Sequence, residues 1–360
     1  MKNLEPRAGS KSRHRKDIGR YRGLAGVAPV LVAAVLTLGV AGCAPQRQWP
    51  GPRTVAPRLD ADAFITSDGT RLPLRVWPAH GRARAVIVAV HGFNDYSRAF
   101  EAPARWWADR GITVYAYDQR GFGATAKPGL WGGTDLLVGD LQAVIGAVAR
   151  AHPSLPLFVL GHSMGGAVAI AALAGVASPE SPVKGVILAA PAVWGGSALN
   201  PFYRLGLWLA AHIASSRKLT GEGLDITPSD NIAMLRALGR DPLVIKETRI
   251  DALYGLVHLM GVAHGLRRAL RVPVLLLYGE RDEVIPREPV DALALVLPAR
   301  SQYVRYGAGY HMLLRDVQGR TVWRDILAWV DRQAGAGQTV TAQPGFAPTE
   351  DEARLRRTCK

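Results

Sequence analysis

Residues 157–166 read LFVLGHSMGG, four apolar residues followed by a glycine-rich turn with a serine at its centre. The apolar run predicts a strand that is buried on both faces, as in a parallel sheet. Small residues at 167–174 predict a helix after the turn. Glycines at 161 and 165 remove Cβ atoms, so Ser163 can adopt the strained backbone of a sharp strand-to-helix turn. This stretch therefore predicts an exposed serine hydroxyl between a strand and a helix.

The same alternation of strand and helix runs through most of the chain. Apolar runs predict strands at 85–90, 112–117, 157–160, 186–190, 274–278 and 303–306. Helical patterns predict helices at 99–109, 135–151, 167–174, 290–297 and 321–332. The turn residues Ser-Asp-Gly-Thr at 67–70 predict a hairpin of strands 64–66 and 72–77. Such alternation predicts an α/β fold, a mostly parallel sheet with helices on both faces.

One interval breaks the alternation and divides the domain. Residues 192–271 hold helical patterns and loops but no predicted strand, which predicts an inserted helical cap. The cap is rich in bulky apolar side chains, and we expect one of its faces to meet the substrate. The chain divides into a leader at 1–42, a Pro-rich tether at 43–59, a globular domain at 60–332 and a tail at 333–360. The tail lacks apolar periodicity, so we expect it to be disordered.

Composition excludes several classes of protein. With 360 residues and 48% hydrophobic types, the chain is long and apolar enough for one large folded domain. Its two cysteines, Cys43 and Cys359, exclude a disulfide scaffold and a cysteine-rich metal site. The net charge of +15 is concentrated at the front, where residues 1–42 carry a net +6. The remaining charge is spread without a basic stripe, so we expect no nucleic-acid partner.

The leader has the layout of an export signal. Basic residues end at Arg22 and an uncharged apolar run covers 24–40. The end of this run, Val-Ala-Gly-Cys at 40–43, resembles the bacterial lipobox, which implies lipid attachment at Cys43 and cleavage before it. By the same resemblance, Ala44 favours the outer membrane. The alternative is an uncleaved transmembrane anchor at 24–42. Either arrangement places the domain on the non-cytoplasmic side of a membrane.

A nucleophilic serine needs a base and a carboxylate that orients it, and both follow in the order that this fold uses. His311 comes after the strand at 303–306, and histidine is a base suited to neutral pH. Three acids, Glu280, Asp282 and Glu283, come after the strand at 274–278. Residue types and spacing alone leave the choice among these acids open.

Over about residues 60–332 the chain resembles α/β-hydrolases of the monoacylglycerol lipase/lysophospholipase group, also called the serine aminopeptidase-like group. The matching segments are HGFNDY at 91–96, DQRGFG at 118–123, the serine turn, DPL at 241–243, VPV at 272–274, GERD at 279–282 and YH at 310–311. The resemblance implies a catalytic triad of Ser163, Asp282 and His311. It also implies an oxyanion hole made by the backbone N–H groups of Phe93 and Met164. Thr125 and Trp131 depart from the pattern of the group.

The resemblance further implies the reaction. Two-step acyl transfer through Ser163 would cleave carboxylic esters of medium- or long-chain lipids, monoacylglycerol or lysophospholipid, without a cofactor or metal. The alternatives are a short-chain esterase or peptidase of the same fold, and a non-catalytic lipid-binding lipoprotein. The expected partners are a lipid ester substrate and a membrane reached through the lipid anchor, with the oligomeric state left open.

Overall fold

The computed structural model describes residues 44–176, 181–195, 199–223 and 225–335. The predicted leader with Cys43, and residues 336–360 of the predicted tail, lie outside the described residues. The strands are β1 (Arg58–Leu59), β2 (Ala63–Ile65), β3 (Arg71–Trp77), β4 (Ala85–Val90), β5 (Ile112–Tyr117), β6 (Leu157–His162), β7 (Val183–Ala189), β8 (Lys218–Thr220), β9 (Glu247–Arg249), β10 (Val274–Gly279) and β11 (Gln302–Tyr306).

Nine of these strands form the central sheet, in the order β1-β2-β3-β5-β4-β6-β7-β10-β11. The strands from β5 to β11 in this order pair in parallel. The first three strands pair antiparallel, and β3 joins them antiparallel to β5. The central strands β4, β5, β6 and β10 are buried along their whole length, which explains their continuous apolar sequences. The predicted mostly parallel sheet is confirmed.

Helices cover both faces of the sheet, also as predicted. They are α1 (Glu101–Ala108), α2 (Thr134–Ala151), α3 (Met164–Leu173), α4 (Pro201–Ile213), α5 (Ile232–Arg240), α6 (Ile250–Leu266), α7 (Arg287–Ala294) and α8 (Gly319–Gln333). Apolar residues of α1 and α8 share one core with one face of the sheet. Residues of α2, α3, α6 and α7 share the core on the other face. The fold thus positions α3, the helix that follows Ser163, inside a buried layer.

The cap lies between β7 and β10 and contains α4, α5 and α6. Its prediction as a segment without strands is wrong, because β8 and β9 form a small antiparallel sheet within it. Each of these strands is three residues long, with the sequences Lys-Leu-Thr and Glu-Thr-Arg, and none of their residues is buried. Strands so short and exposed carry no apolar alternation that a sequence pattern could reveal.

The segment predicted as a tether is bound to the domain in its described part, residues 44–59. The N–H of Gln48 donates to the carbonyl of Trp131 at 2.8 Å, and the N–H of Thr54 donates to the carbonyl of Ser67 at 2.8 Å. The segment ends in β1, so the sheet begins two residues before the predicted domain start. Both contacts are made by backbone N–H groups, so the Pro-rich side-chain sequence does not reveal them. Across the described ranges, no helix combines the length and the apolar character needed to cross a bilayer.

Candidate active site

Ser163 occupies the tight turn between β6 and α3. Its backbone has φ 52° and ψ −117°, a left-handed conformation that costs free energy for any residue with a Cβ. Two hydrogen bonds hold it there. Its N–H donates to the carbonyl of Ala189 at 3.0 Å, and its carbonyl accepts from the N–H of Ala192 at 2.9 Å. The strain is therefore maintained by bonds to the end of the neighbouring strand β7.

The glycines around Ser163 are required by close backbone contacts. A Cβ on Gly161 would lie 2.5 Å from the carbonyl oxygen of Gly165, and a Cβ on Gly165 would meet the carbonyl of Val90. Real Cβ atoms do not approach other atoms this closely, so side chains at these positions would push α3 away from β4 and β6. The turn predicted from the sequence is confirmed in its backbone geometry. The expected exposure of the serine is wrong, because Ser163 is only 8% exposed and its neighbours His162 and Met164 are buried too.

His311 and Asp282 lie together at the ends of β11 and β10. His311 Nδ1 is 2.9 Å from Asp282 Oδ2. The other carboxylate oxygen, Oδ1, accepts the N–H groups of Val284 and Ile285 at 2.8 and 2.9 Å. Both side chains are buried. Because Asp282 accepts from Nδ1–H, the Nε2 atom of the neutral imidazole is left as the basic nitrogen.

The two other candidate acids have different partners. Glu280 is paired with Arg287 and Arg305 at 3.2 and 3.4 Å. Glu283 accepts the backbone N–H of Thr227 in the cap at 2.6 Å. Of the three acids that the sequence left open, the structure brings only Asp282 to His311.

His162, the residue before Ser163, contacts the backbone of His311. Its Nε2 is 3.0 Å from the carbonyl oxygen of His311, and the two rings lie 5.1 Å apart. Burial, together with the charges of His311 and Arg315, lowers the pKa of His162 to about 3. His162 is therefore neutral at physiological pH and donates its Nε2–H to that carbonyl.

The backbone N–H groups predicted to form an oxyanion hole lie beside Ser163. Met164 is the first residue of α3, where N–H groups have no acceptor within the helix and the helix dipole favours negative charge. Phe93 follows Gly92, and a Cβ on Gly92 would lie 3.3 Å from the Cβ of Ser163. Neither N–H donates to a backbone carbonyl of the described residues.

The loop that carries Phe93 is held in place by hydrogen bonds from Gln119. The N–H of Gln119 donates to His91 Nε2 at 2.9 Å, and the Gln119 side chain donates to the carbonyl of His91 at 2.8 Å. The ring of Phe93 packs against Phe122 and Trp131, with centroids 5.5 and 6.3 Å away. The amide at position 93 is therefore held by a buried framework.

The same loop is also held in place by hydrogen bonds to the cap. Asn94 donates through Nδ2 to the hydroxyl of Thr248 at 2.6 Å, and its carbonyl accepts the N–H of Ile245 at 3.0 Å. Asn94 itself has φ 62°, a conformation that asparagine tolerates better than most residues. The cap thus contacts the loop directly after Phe93.

Arg120, in the DQRGFG segment, has a structural role. Its buried guanidinium bonds to Asp140 in α2 at 2.6 Å and to Asp68 in the β2–β3 turn at 2.9 Å. Burial opposes ionisation of Asp68, but hydrogen bonds from Arg120, Thr66 and Thr70 hold its pKa below the usual range. Arg120 therefore ties the hairpin at the sheet edge to α2.

Several polar residues near the site were missed in the sequence. Arg315 pairs with Asp95, and both side chains are nearly buried. Asp316 accepts the hydroxyl of Ser229 at 2.6 Å and the N–H of Tyr310 at 2.8 Å. Partners separated by 87 or 220 residues give no local signal, so only the fold brings them together.

The cap presents apolar side chains to its surroundings. In α4 only Ala211 is buried, and Phe202 and Ile213 are 82% and 69% exposed. In α6, Leu259 and Met260 are buried in the core. A cavity of about 650 Å³ lies between α4 and α6, lined by Pro201, Arg204, Leu205, Leu207, Trp208, Tyr254, Val257, His258, Gly261 and Val262. Within the described part of the chain, no group of three or more His, Cys, Asp or Glu is arranged to hold a metal ion.

The parallel sheet, the strained serine turn and the strand-end histidine and carboxylate define an enzyme of the α/β-hydrolase class. A family model described as "Serine aminopeptidase, S33" matches residues 81–318, and the chain belongs to this family. The resemblance to α/β-hydrolases of the monoacylglycerol lipase and serine aminopeptidase-like group is confirmed.

Relatives of known name span nearly the whole domain. The chain is 26% identical to a monoacylglycerol lipase of Mycolicibacterium smegmatis over 284 residues, 74% of this chain and 95% of the relative. It is 26% identical to the human monoglyceride lipase over 300 residues, 79% of this chain and 95% of the relative. The crystal structure of a soluble variant of the Saccharomyces cerevisiae monoglyceride lipase with a substrate analog superposes with a TM-score of 0.64. It is 20% identical, and the match covers 79% of this chain and 99% of that one.

Proposed function

We propose that the chain is a serine hydrolase that cleaves carboxylic esters of medium- or long-chain lipids, with monoacylglycerol or lysophospholipid as the substrate class. The observation that carries the proposal is the serine at a strained turn together with the buried His311–Asp282 pair, which His162, the residue before Ser163, contacts. In this mechanism Ser163 attacks the ester carbonyl while His311 Nε2 takes its proton and then returns it to the leaving alcohol. Water then attacks the acyl-enzyme with the same base, which releases the acid.

The oxyanion of each tetrahedral intermediate would accept the N–H groups of Phe93 and Met164. Two such donors, preorganised before the reaction, stabilise the developing charge without further reorganisation. Asp282 would hold the tautomer of His311 and stabilise its imidazolium. His162 supports this arrangement, since its neutral ring adds no positive charge beside the base.

The cap supports a lipid acyl chain as the substrate. Exposed apolar residues of α4 and a cavity of about 650 Å³ between α4 and α6 offer apolar surface, with Arg204 and His258 as the charged or polar side chains at the cavity wall. Each buried methylene contributes about 0.8 kcal/mol, so extending an acetyl to an octanoyl ester could gain up to about 5 kcal/mol. The names of the relatives, monoacylglycerol and monoglyceride lipases, agree with this class.

An aminopeptidase is the second candidate, because the family description names one. Such an enzyme needs a carboxylate free to bind the substrate α-ammonium group. Three carboxylates in the loops of the site already have partners, since Asp95 is paired with Arg315, Asp282 with His311 and Glu283 with the N–H of Thr227. Because these carboxylates are already paired, an ester is favoured over a peptide as the substrate.

A substrate series tests the proposal. We expect kcat/KM of p-nitrophenyl esters to rise from acetyl to at least octanoyl, and monoacylglycerol or lysophospholipid to be cleaved faster than aminoacyl p-nitroanilides. Trp208→Ala, in the cavity wall, should lower kcat/KM for octanoate more than for acetate, whereas Leu295→Ala, exposed directly after α7, should change neither. A steady decline beyond butyryl, or amide cleavage at comparable rates, would contradict the lipid assignment.

We also propose that the chain is exported and anchored to a membrane through Cys43, with the outer membrane as its location where the cell has one. The support is the leader sequence and the exposed apolar face of α4, which suits a lipid surface. Cys43→Ser should block maturation and release the protein from the membrane fraction. A variant of unchanged size and fractionation would favour the uncleaved transmembrane anchor instead.

A further inference from the structure

The loop that carries His311 has no regular secondary structure of its own. Residues 307–318 connect β11 to α8 as a series of turns. The imidazole can stay at 2.9 Å from Asp282 only if the backbone on both sides of residue 311 is fixed. In such a loop, the fixed points are hydrogen bonds to other parts of the fold.

Besides the bond from His162 to the carbonyl of His311, several of those hydrogen bonds come from one segment of the cap, residues 227–231, which we call the clasp. On the C-terminal side of His311, the N–H of Met312 donates to the carbonyl of Pro228 at 3.0 Å. The acid loop is bound to the same segment, because the N–H of Thr227 donates to Glu283, the residue after Asp282, at 2.6 Å. The base and the acid are therefore attached to one five-residue segment.

On the N-terminal side of His311, the link passes through Asp316. The N–H of Tyr310 donates to Asp316 Oδ2 at 2.8 Å, and the hydroxyl of Ser229 donates to Asp316 Oδ1 at 2.6 Å. Ser229 is fully buried and Asp316 is nearly so. A buried carboxylate is costly unless its oxygens are hydrogen-bonded, so this one depends on both donors.

Two further bonds join the clasp to the rest of the loop. The side chain of Asn231 donates to the carbonyl of Arg315 at 2.8 Å, and the N–H of Val317 donates to Asp230 at 2.8 Å. All these bonds of the clasp converge on the loops that hold His311 and Asp282.

We propose that Ser229 and Asp316 are positioning residues for His311, and that the cap keeps the base aligned with Asp282 through them. The inference rests on the proposed serine-hydrolase function. Neither side chain touches the substrate in this scheme. Their effect passes through the backbone of Tyr310 and reaches the imidazole as a change in its position.

The test measures kcat and KM with p-nitrophenyl butyrate, and the rate of labelling by a fluorophosphonate, for Ser229→Ala, Asp316→Ala and Asp316→Asn. A displacement of the base by about 1 Å costs up to about 100-fold in rate, so Asp316→Ala should lower kcat about 10- to 100-fold with KM within about twofold. Ser229→Ala should lower kcat by a smaller factor, about tenfold. Asp316→Asn keeps an oxygen that accepts the N–H of Tyr310, and should recover most of the loss.

Ser181→Ala is the matched control, because Ser181 is also a buried serine, bonded to the N–H of Val183 at the opposite end of the sheet. It should leave kcat unchanged. If Asp316→Ala does not fold, Ser229→Ala decides the question. Values of kcat within twofold of the wild type in the folded alanine variants, or a change in KM alone, would overturn the proposal. A wild type that the fluorophosphonate does not label would instead overturn the proposed function itself.

Discussion

Gly255 in α6 lies against the ring of Trp131, and replacing it with alanine should disturb the oxyanion loop. A Cβ at position 255 would lie 2.5 Å from Trp131 Cδ1 and 2.6 Å from Cδ2. Carbon atoms in contact are normally about 3.5–4.0 Å apart, so the ring must move by about 1 Å. Trp131 is buried and contacts Phe93, and the displacement therefore reaches the amide proposed to bind the oxyanion.

The change in the free energy of unfolding caused by Gly255→Ala follows from two opposing effects. Overpacking a buried site costs about 1–3 kcal/mol, and exchanging a helical glycine for alanine returns about 1 kcal/mol. Gly255→Ala should therefore lower the free energy of unfolding by about 0–2 kcal/mol. In Gly206→Ala, the matched change in α4, the new Cβ meets no atom within 4 Å, and stability should rise by about 0.5–1 kcal/mol.

Urea unfolding gives the stability of both variants, and p-nitrophenyl octanoate gives kcat/KM. We expect Gly255→Ala to lose about 10- to 100-fold in kcat/KM because a donor is displaced, while Gly206→Ala keeps the activity of the wild type. If Gly255→Ala is as stabilising as Gly206→Ala and equally active, the packing of the cap on Trp131 does not support the oxyanion loop, and the reasoning is wrong.

Two further predictions concern the histidines and the acids. The buried His162 has a pKa of about 3, whereas an unfolded histidine titrates near 6.5, so the unfolded state binds a proton that the folded state does not. His162 should therefore lower the free energy of unfolding by about 1.4 kcal/mol for each pH unit as the pH drops from about 6.5 toward 3. Denaturant titrations at pH 7 and 4.5 should show this loss reduced in His162→Gln but not in the exposed control His80→Gln. Asp282→Asn should lower kcat about 10⁴-fold by disturbing the tautomer of His311. Glu280→Gln, the control, should keep kcat within twofold of the wild type. Equal losses of kcat in the two variants, measured in steady-state assays, would show that the acid is misassigned.

Much of the fold could be predicted from the sequence because buried parallel strands are continuous apolar runs. Even so, α3 begins at Met164 and not at residue 167, since the strained turn leads directly into the helix. The strands β8 and β9 and the bound segment at 44–59 escaped prediction, because exposed residues and backbone donors leave no apolar pattern.

The candidate site was predictable to the extent that its residues follow strand ends. Ser163 and Asp282 come after strands that are buried along their whole length, and His311 follows the half-buried edge strand β11, at the strand ends where an open parallel sheet gathers its functional groups. The choice of Asp282 over Glu283 required either the family resemblance or the observed bond to His311. The clasp was not predictable, because Ser, Asp and Asn are ordinary turn residues and their partners lie more than fifty residues away.

The most direct test of the account is the site of covalent labelling by a fluorophosphonate, read by mass spectrometry of the digested protein. With Ser163 as the nucleophile, the wild type should carry one phosphonyl adduct, on the peptide that contains Ser163. Ser163→Ala should carry no adduct, and His311→Ala should be labelled much more slowly. An adduct on another serine, or labelling that persists in Ser163→Ala, would contradict the assignment of Ser163 as the nucleophile.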